Sequence, residues 1–112
     1  MCIMELLVKT QNVCEEKTKD ALVYILSDKY CRKILTTTVY KPKSAMEIGR
    51  ECGIPISTVY RRLQVLQDSK LMQISGNISE DGKNYFLYKS IVHGISVVFN
   101  GNQLEVEVSP NN

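Results

Sequence analysis

Apolar residues along this chain change their spacing once, near Leu71, from steps of three and four to strict alternation. Before that point the pattern is helical. Ala21, Leu22, Ile25 and Leu26 mark the apolar side of a helix that begins near Glu15, with Glu15, Glu16 and Asp20 early, where acids suit a helix N-terminus. Ser27 and Asp28 predict a break and an N-cap. In the next helix Tyr30, Cys31, Ile34, Leu35 and Thr38 share one face, while Lys29, Arg32 and Lys33 stay in water. Pro42 forbids helix near its end. Ser44 and Glu47 form a capping box for a short third helix whose apolar positions are Ala45, Ile48 and Cys52. Gly53 follows where a left-handed residue closes a helix. Ile54 and Pro55 connect to a fourth helix, 56–69, with Val59, Leu63 and Leu66 facing inward. Residues 1–14 fit a strand or a helical face equally well.

Beyond Leu71, Met72, Ile74, Gly76 and Ile78 alternate with polar residues up to Asp81-Gly82, a strong two-residue hairpin signal. That turn sets Lys83 opposite Glu80 and Tyr85 opposite Ile78, with a return strand to Ile91. A second hairpin joins Ile95, Val97 and Phe99 to Leu104, Val106 and Val108 through Asn100-Gly101-Asn102. An Asn-Gly turn pairs Val97 with Leu104; a Gly-Asn turn pairs Phe99 with Leu104 and Val97 with Val106. Both registers keep the apolar face intact, and the sequence leaves both open. Residues 109–112 are expected to fray.

The 112 residues, 44% apolar and 23% charged, make one ordinary globular domain. No apolar run is long enough to span a bilayer, and the start lacks the basic segment of an export signal. Four cysteines at 2, 14, 31 and 52 lack paired spacing and read as cytosolic thiols, and the lone His93 cannot anchor a multi-histidine metal site. No P-loop, G-x-G-x-x-G or G-x-S-x-G is present. An enzyme is therefore not expected, and the sequence calls for no cofactor and no metal. Charge is uneven: residues 28–70 carry nine Lys and Arg against four acids, whereas 95–112 carry two acids and no base. A positive middle suits a polyanionic partner.

That middle also holds the informative stretch, SAMEIGRECGIPISTVYRRLQVLQDSKL from Ser44 to Leu71. Short helix, glycine turn and amphipathic helix make a helix-turn-helix. The outer face of its second helix gathers Ser57, Thr58, Tyr60, Arg61 and Arg62. Arginine can grip guanine O6 and N7 as a fork, and a helix fits the major groove of B-DNA. Ser57, Thr58, Tyr60 and Arg61 are the candidates for base edges. Lys43, Ser44, Arg62, Lys83 and Asn84 are the candidates for phosphates, the last two from a hairpin placed as a wing.

Residues from about 26 to 88 resemble the winged helix-turn-helix repressors of the ArsR-like superfamily, in a compact archaeal form. The resemblance rests on Leu26-Ser27-Asp28 with Arg32-Lys33-Ile34-Leu35, on Ile48 and Gly53-Ile54, and on Ser57-Thr58-Val59-Tyr60-Arg61-Arg62-Leu63 with Val65-Leu66 and Leu71. It implies a winged helix-turn-helix at 20–92; with the N-terminal extension at 1–19 and the additional C-terminal β-hairpin at 93–112 read from the spacing, the expected fold is α+β. It implies a cytoplasmic transcriptional regulator that binds double-stranded DNA in a sequence-specific way, with helix 56–69 in the major groove and wing 77–84 on the backbone. Two departures stand out. The positioning helix offers Cys52 alone where metal-sensing members carry paired cysteines, and the chain ends in a hairpin where many members end in a dimerising helix. A homodimer is expected because palindromic sites mirror two-fold proteins. The apolar chain ends are its candidate interface, and the C-terminal hairpin is expected to dock on the N-terminal segment or on a second subunit. The alternative is a winged-helix module that docks proteins in a transcription or replication complex.

Overall fold

Four helices precede two hairpins, in the order the spacing predicts. A computed structural model describes residues 11–78, 80, 82 and 84–111. A short strand β1 (Gln11–Val13) leads into α1 (Glu16–Ser27), α2 (Lys29–Thr38), α3 (Ala45–Cys52) and α4 (Ile56–Asp68). Strands β2 (Met72–Ile78) and β3 (Asn84–Ser90) form the first hairpin, β4 (Val92–Phe99) and β5 (Leu104–Pro110) the second. Asp28 is extended (φ −95°, ψ 119°), and its carboxylate caps α2 by accepting from the Cys31 N–H. The capping box at α3 is complete: Ser44 Oγ accepts from the Glu47 N–H at 3.2 Å, and Glu47 Oε1 accepts from the Ser44 N–H at 3.0 Å. Gly53 closes α3 at φ 67°, a conformation that costs a residue with a Cβ about 1 kcal/mol or more.

The core runs through all four helices. Ile25, Ile34, Ile48, Val59 and Leu66 are fully buried, and Leu63 and Leu22 nearly so. Burying one such side chain stabilises by about 1.5–3 kcal/mol, so Val59, Leu63 and Leu66 together fix the seat of α4. Lys43 adds a third short segment to the first hairpin through two backbone hydrogen bonds with Tyr88, at 3.0 and 2.8 Å. The order helix, short strand, helix, helix, hairpin is that of a winged helix. The fold is α+β, a winged helix-turn-helix with an N-terminal extension and an added C-terminal hairpin.

The wing's register differs by one residue from the one Asp81-Gly82 suggests. Ile78 pairs with Asn84 and Asn77 with Tyr85, so five residues connect the strands in place of a two-residue turn. The reason lies at the root of the hairpin. Ile74 pairs with Tyr88 and Met72 with Ser90, and Met72, Tyr88 and Ser90 are all buried. The expected register would set Lys89 beside Ile74, and a one-residue slip turns every side chain to the opposite face. The expected Lys83–Glu80 pair falls on Lys83, outside the described residues.

The second hairpin takes the Gly-Asn alternative, pairing Phe99 with Leu104, Val97 with Val106 and Ile95 with Val108, with Gly101 at φ 74°. It docks on the N-terminal segment: β5 lies between β1 and β4 in a three-stranded sheet. Lys19 of α1 ties the two parts together, its ammonium donating to the Leu104 carbonyl at 2.9 Å. The expected fraying does not occur over residues 109–111. Pro110 pairs with Val92, and the Asn111 amide donates to the carbonyls of Val39 at 2.6 Å and Ser90 at 2.9 Å. Asn111 thereby satisfies carbonyls at the end of α2 and at the wing root. Cys14, read from sequence as a free thiol, is disulfide-bonded.

Candidate nucleic-acid interface

Geometry at the centre of the site comes from the period of α4. With Val59, Leu63 and Leu66 inward, Ser57, Arg61, Gln64 and Asp68 fall on the opposite side at steps of four, three and four. Ser57, Arg61 and Gln64 are exposed, and Tyr60 (54% exposed) and the half-buried Thr58 flank them. Among the described residues nothing hydrogen-bonds or ion-pairs with the Arg61 guanidinium, whereas Gln64 donates to Asp68 along the helix at 2.9 Å. Pro55 supplies no side-chain cap to α4, so the first-turn N–H groups can turn to an anion. The four residues expected at base edges therefore share the N-terminal half of one rigid helix.

The residues expected at phosphates divide differently. Arg62 sits at the side of α4 against α2. Its Nε donates to Asp28 Oδ2 at 2.9 Å and its Nη2 to Oδ1 at 3.3 Å, while the guanidinium lies 5.5 Å from the Tyr30 ring centre. Burial disfavours the Asp28 carboxylate, but the Arg62 hydrogen bonds and the Cys31 N–H outweigh it and hold its pKa below the usual 3.8. The same hydrogen bond from the other side holds the Arg62 guanidinium more firmly protonated. Lys43 is likewise engaged: its ammonium donates to Thr37 Oγ1 at 2.7 Å and pairs with Glu51, whose carboxyl is held low chiefly by that bond. Ser44 caps α3 with its oxygen, leaving its hydroxyl hydrogen for another acceptor. Asn84 begins β3 opposite Ile78. Lys83 lies outside the described residues.

Three features of the site escape the sequence reading. Asp28 serves twice, as cap and as the acceptor for Arg62, and only the cap has a local signal. Tyr30 stacks beside Arg62 in a cation–π contact, which no spacing rule connects across the intervening helix. Gly49 brings the turn close: the Ile54 N–H donates to the Gly49 carbonyl at 3.0 Å, and a Cβ on Gly49 would stand 3.0 Å from the Ile54 carbonyl. The cysteines nearby are chemically quiet. Burial, with the Asp28 carboxylate beside it, pushes the Cys31 thiol up to about 12, and burial raises Cys52 as well. Among the described residues no group of three His, Cys, Asp or Glu side chains could hold a metal ion, and no helix is long and apolar enough to cross a membrane.

No curated protein matches the chain. Residues 26–73, which run from the end of α1 through the turn and α4 into β2, match the model of a family described as a helix-turn-helix domain.

Proposed function

We propose that the protein is a transcriptional regulator of the ArsR-like kind that reads double-stranded DNA with α4 in the major groove. The observation that carries this reading is Arg61: exposed, without a side-chain partner among the described residues, and centred on the outer stripe of a helix whose opposite face is fully buried. Ser57, Thr58 and Tyr60 reach base edges beside it. Ser44 and the uncapped first turn of α4 meet phosphates, and the wing around 77–84, with Lys83 and Asn84, follows the neighbouring backbone. Lys43 and Arg62 act indirectly, the first by holding α3 to α2 and the second by fixing the roll of α4. A two-fold homodimer presents two such helices to a palindromic site.

The experiment is selection of bound fragments from a random duplex pool at a stated salt concentration. Enrichment of a palindromic consensus is expected. A second reading has one observation in its favour: Phe86 is 59% exposed on the wing face that also carries Ile74. Apolar surface of that kind suits a protein partner. A pool with no enriched sequence would favour this docking function over the reading of DNA.

A further inference from the structure

Strand β4 has one free side. Among the described residues the three-stranded sheet runs β1-β5-β4, so β4 is an edge. Edges of soluble proteins are ordinarily guarded by lysine, inward charges or proline, because unpaired N–H and C=O groups recruit another strand. The stretch VHGISVVF carries none of these. A bulge between Val92 and Gly94 interrupts the regular pairing and leaves Ile95–Phe99 as the flat part of the edge. At its far end Val98 is 50% and Phe99 71% exposed. At its near end a mainly apolar groove of about 390 Å³ opens between β4 and α2, where Leu26, Leu35, Val39, Val92 and Ile95 share the lining with polar residues that include Arg32 and His93.

We propose that this edge and groove receive a second copy of the chain, through antiparallel β4–β4 pairing centred on Val97. Val97 is the midpoint of Ile95–Phe99, so a two-fold axis there pairs each residue of the segment with another of the same segment. Such an axis stands normal to the sheet and keeps like faces together. Phe99 shares its face with Val97 and Ile95, by the alternation of the strand and its pairing with Leu104. The pairing sets Phe99 opposite Ile95 of the second copy, at the mouth of that copy's groove. Knob and hole thus lie on one surface at matching distances from the axis, which is what a self-complementary two-fold interface requires. The two three-stranded sheets become one of six strands, and both exposed phenylalanines are covered. The inference rests on the homodimer reading above and gives it a surface; it does not depend on DNA.

Sedimentation equilibrium of the intact chain and of Phe99→Glu tests it. The unaltered protein should sediment at twice its 12.7 kDa chain mass. Phe99→Glu should raise the dimer dissociation constant at least tenfold while leaving the thermal midpoint of the monomer unchanged, since Phe99 contributes little to the fold of a single copy. A cross-link gives an independent readout. The register sets Ser96 opposite Val98 of the second copy, within the Cα separation that disulfides accept. Ser96→Cys/Val98→Cys should therefore form interchain disulfides on mild oxidation. An intact protein that stays monomeric overturns the homodimer reading as well as this one. A dimer that persists in Phe99→Glu, or a cysteine pair that fails to link, overturns the β4 surface alone.

Discussion

At the scale of single residues, the arginine pair Arg61-Arg62 shows how neighbouring identical side chains receive different work. A step of 100° along α4 leaves Arg61 in solvent and brings Arg62 against Asp28 and Tyr30. Sequence alone identifies both as outer-face residues; the division follows from where α2 lies, which no local pattern encodes. Asp28 gives a testable pH dependence. Its folded pKa is depressed, so the stability it contributes is fully present above the ordinary value of 3.8 and is lost as pH falls through the lower folded value. Urea unfolding between pH 7 and pH 2 should show Asp28→Asn less stable than the unaltered protein at pH 7, by about 1 kcal/mol or more from the lost charge-assisted bonds to Arg62, since asparagine still caps the helix. The gap should narrow as acid protonates Asp28. A gap independent of pH would remove the ion pair from the cause.

At the scale of elements, the helices are legible because period, cap and closure agree: Asp28, Ser44 and Gly53 each stand where the pattern needs them. The wing is less legible. Asp81-Gly82 is a strong local signal, yet burial of Met72, Tyr88 and Ser90 at the hairpin's root sets the register. The end of α4 is a further case. The Leu71 N–H donates to the Leu66 carbonyl and the Lys70 N–H to the Gln67 carbonyl, both at 2.9 Å, a Schellman closure with Lys70 at φ 59° where glycine is usual. Nothing in Ser69-Lys70-Leu71 announces it. Lys70→Gly should therefore raise the thermal midpoint, by an amount equivalent to about 1 kcal/mol; a lowered midpoint would show that the Lys70 side chain contributes more than its backbone costs. The opposite sign is expected at Gly49. Its Cβ site meets a backbone carbonyl at 3.0 Å, so Gly49→Ala should lower the midpoint and weaken DNA binding together, because the turn that aims α4 must shift. A midpoint unchanged from that of the parent would mean the turn gives way freely.

At the scale of the whole molecule, the long axis of 54 Å against 30 and 20 Å belongs to a chain with the helix-turn-helix and a separate three-stranded sheet. Charge follows the same division, basic through 28–70 and acidic at 95–112, and this was open to a reading of the sequence. The ties between the parts were not: Lys19 to Leu104 spans 85 residues and Asn111 to Val39 spans 72. Such contacts make the C-terminal hairpin part of the structure that steadies the wing root. On the reading proposed above, what the molecule presents to a duplex is α4, with Arg61 at the middle of its outer stripe and, among the described residues, without a side-chain partner. The most direct measurement compares wild type and Arg61→Ala, at one salt concentration, on the duplex selected from the random pool and on a scrambled duplex of the same composition. Loss of a base contact corresponds to about 1–3 kcal/mol, so affinity should fall roughly 5- to 150-fold on the selected duplex and far less on the scrambled one. An equal fall on both would make Arg61 a phosphate contact and contradict its role in reading bases.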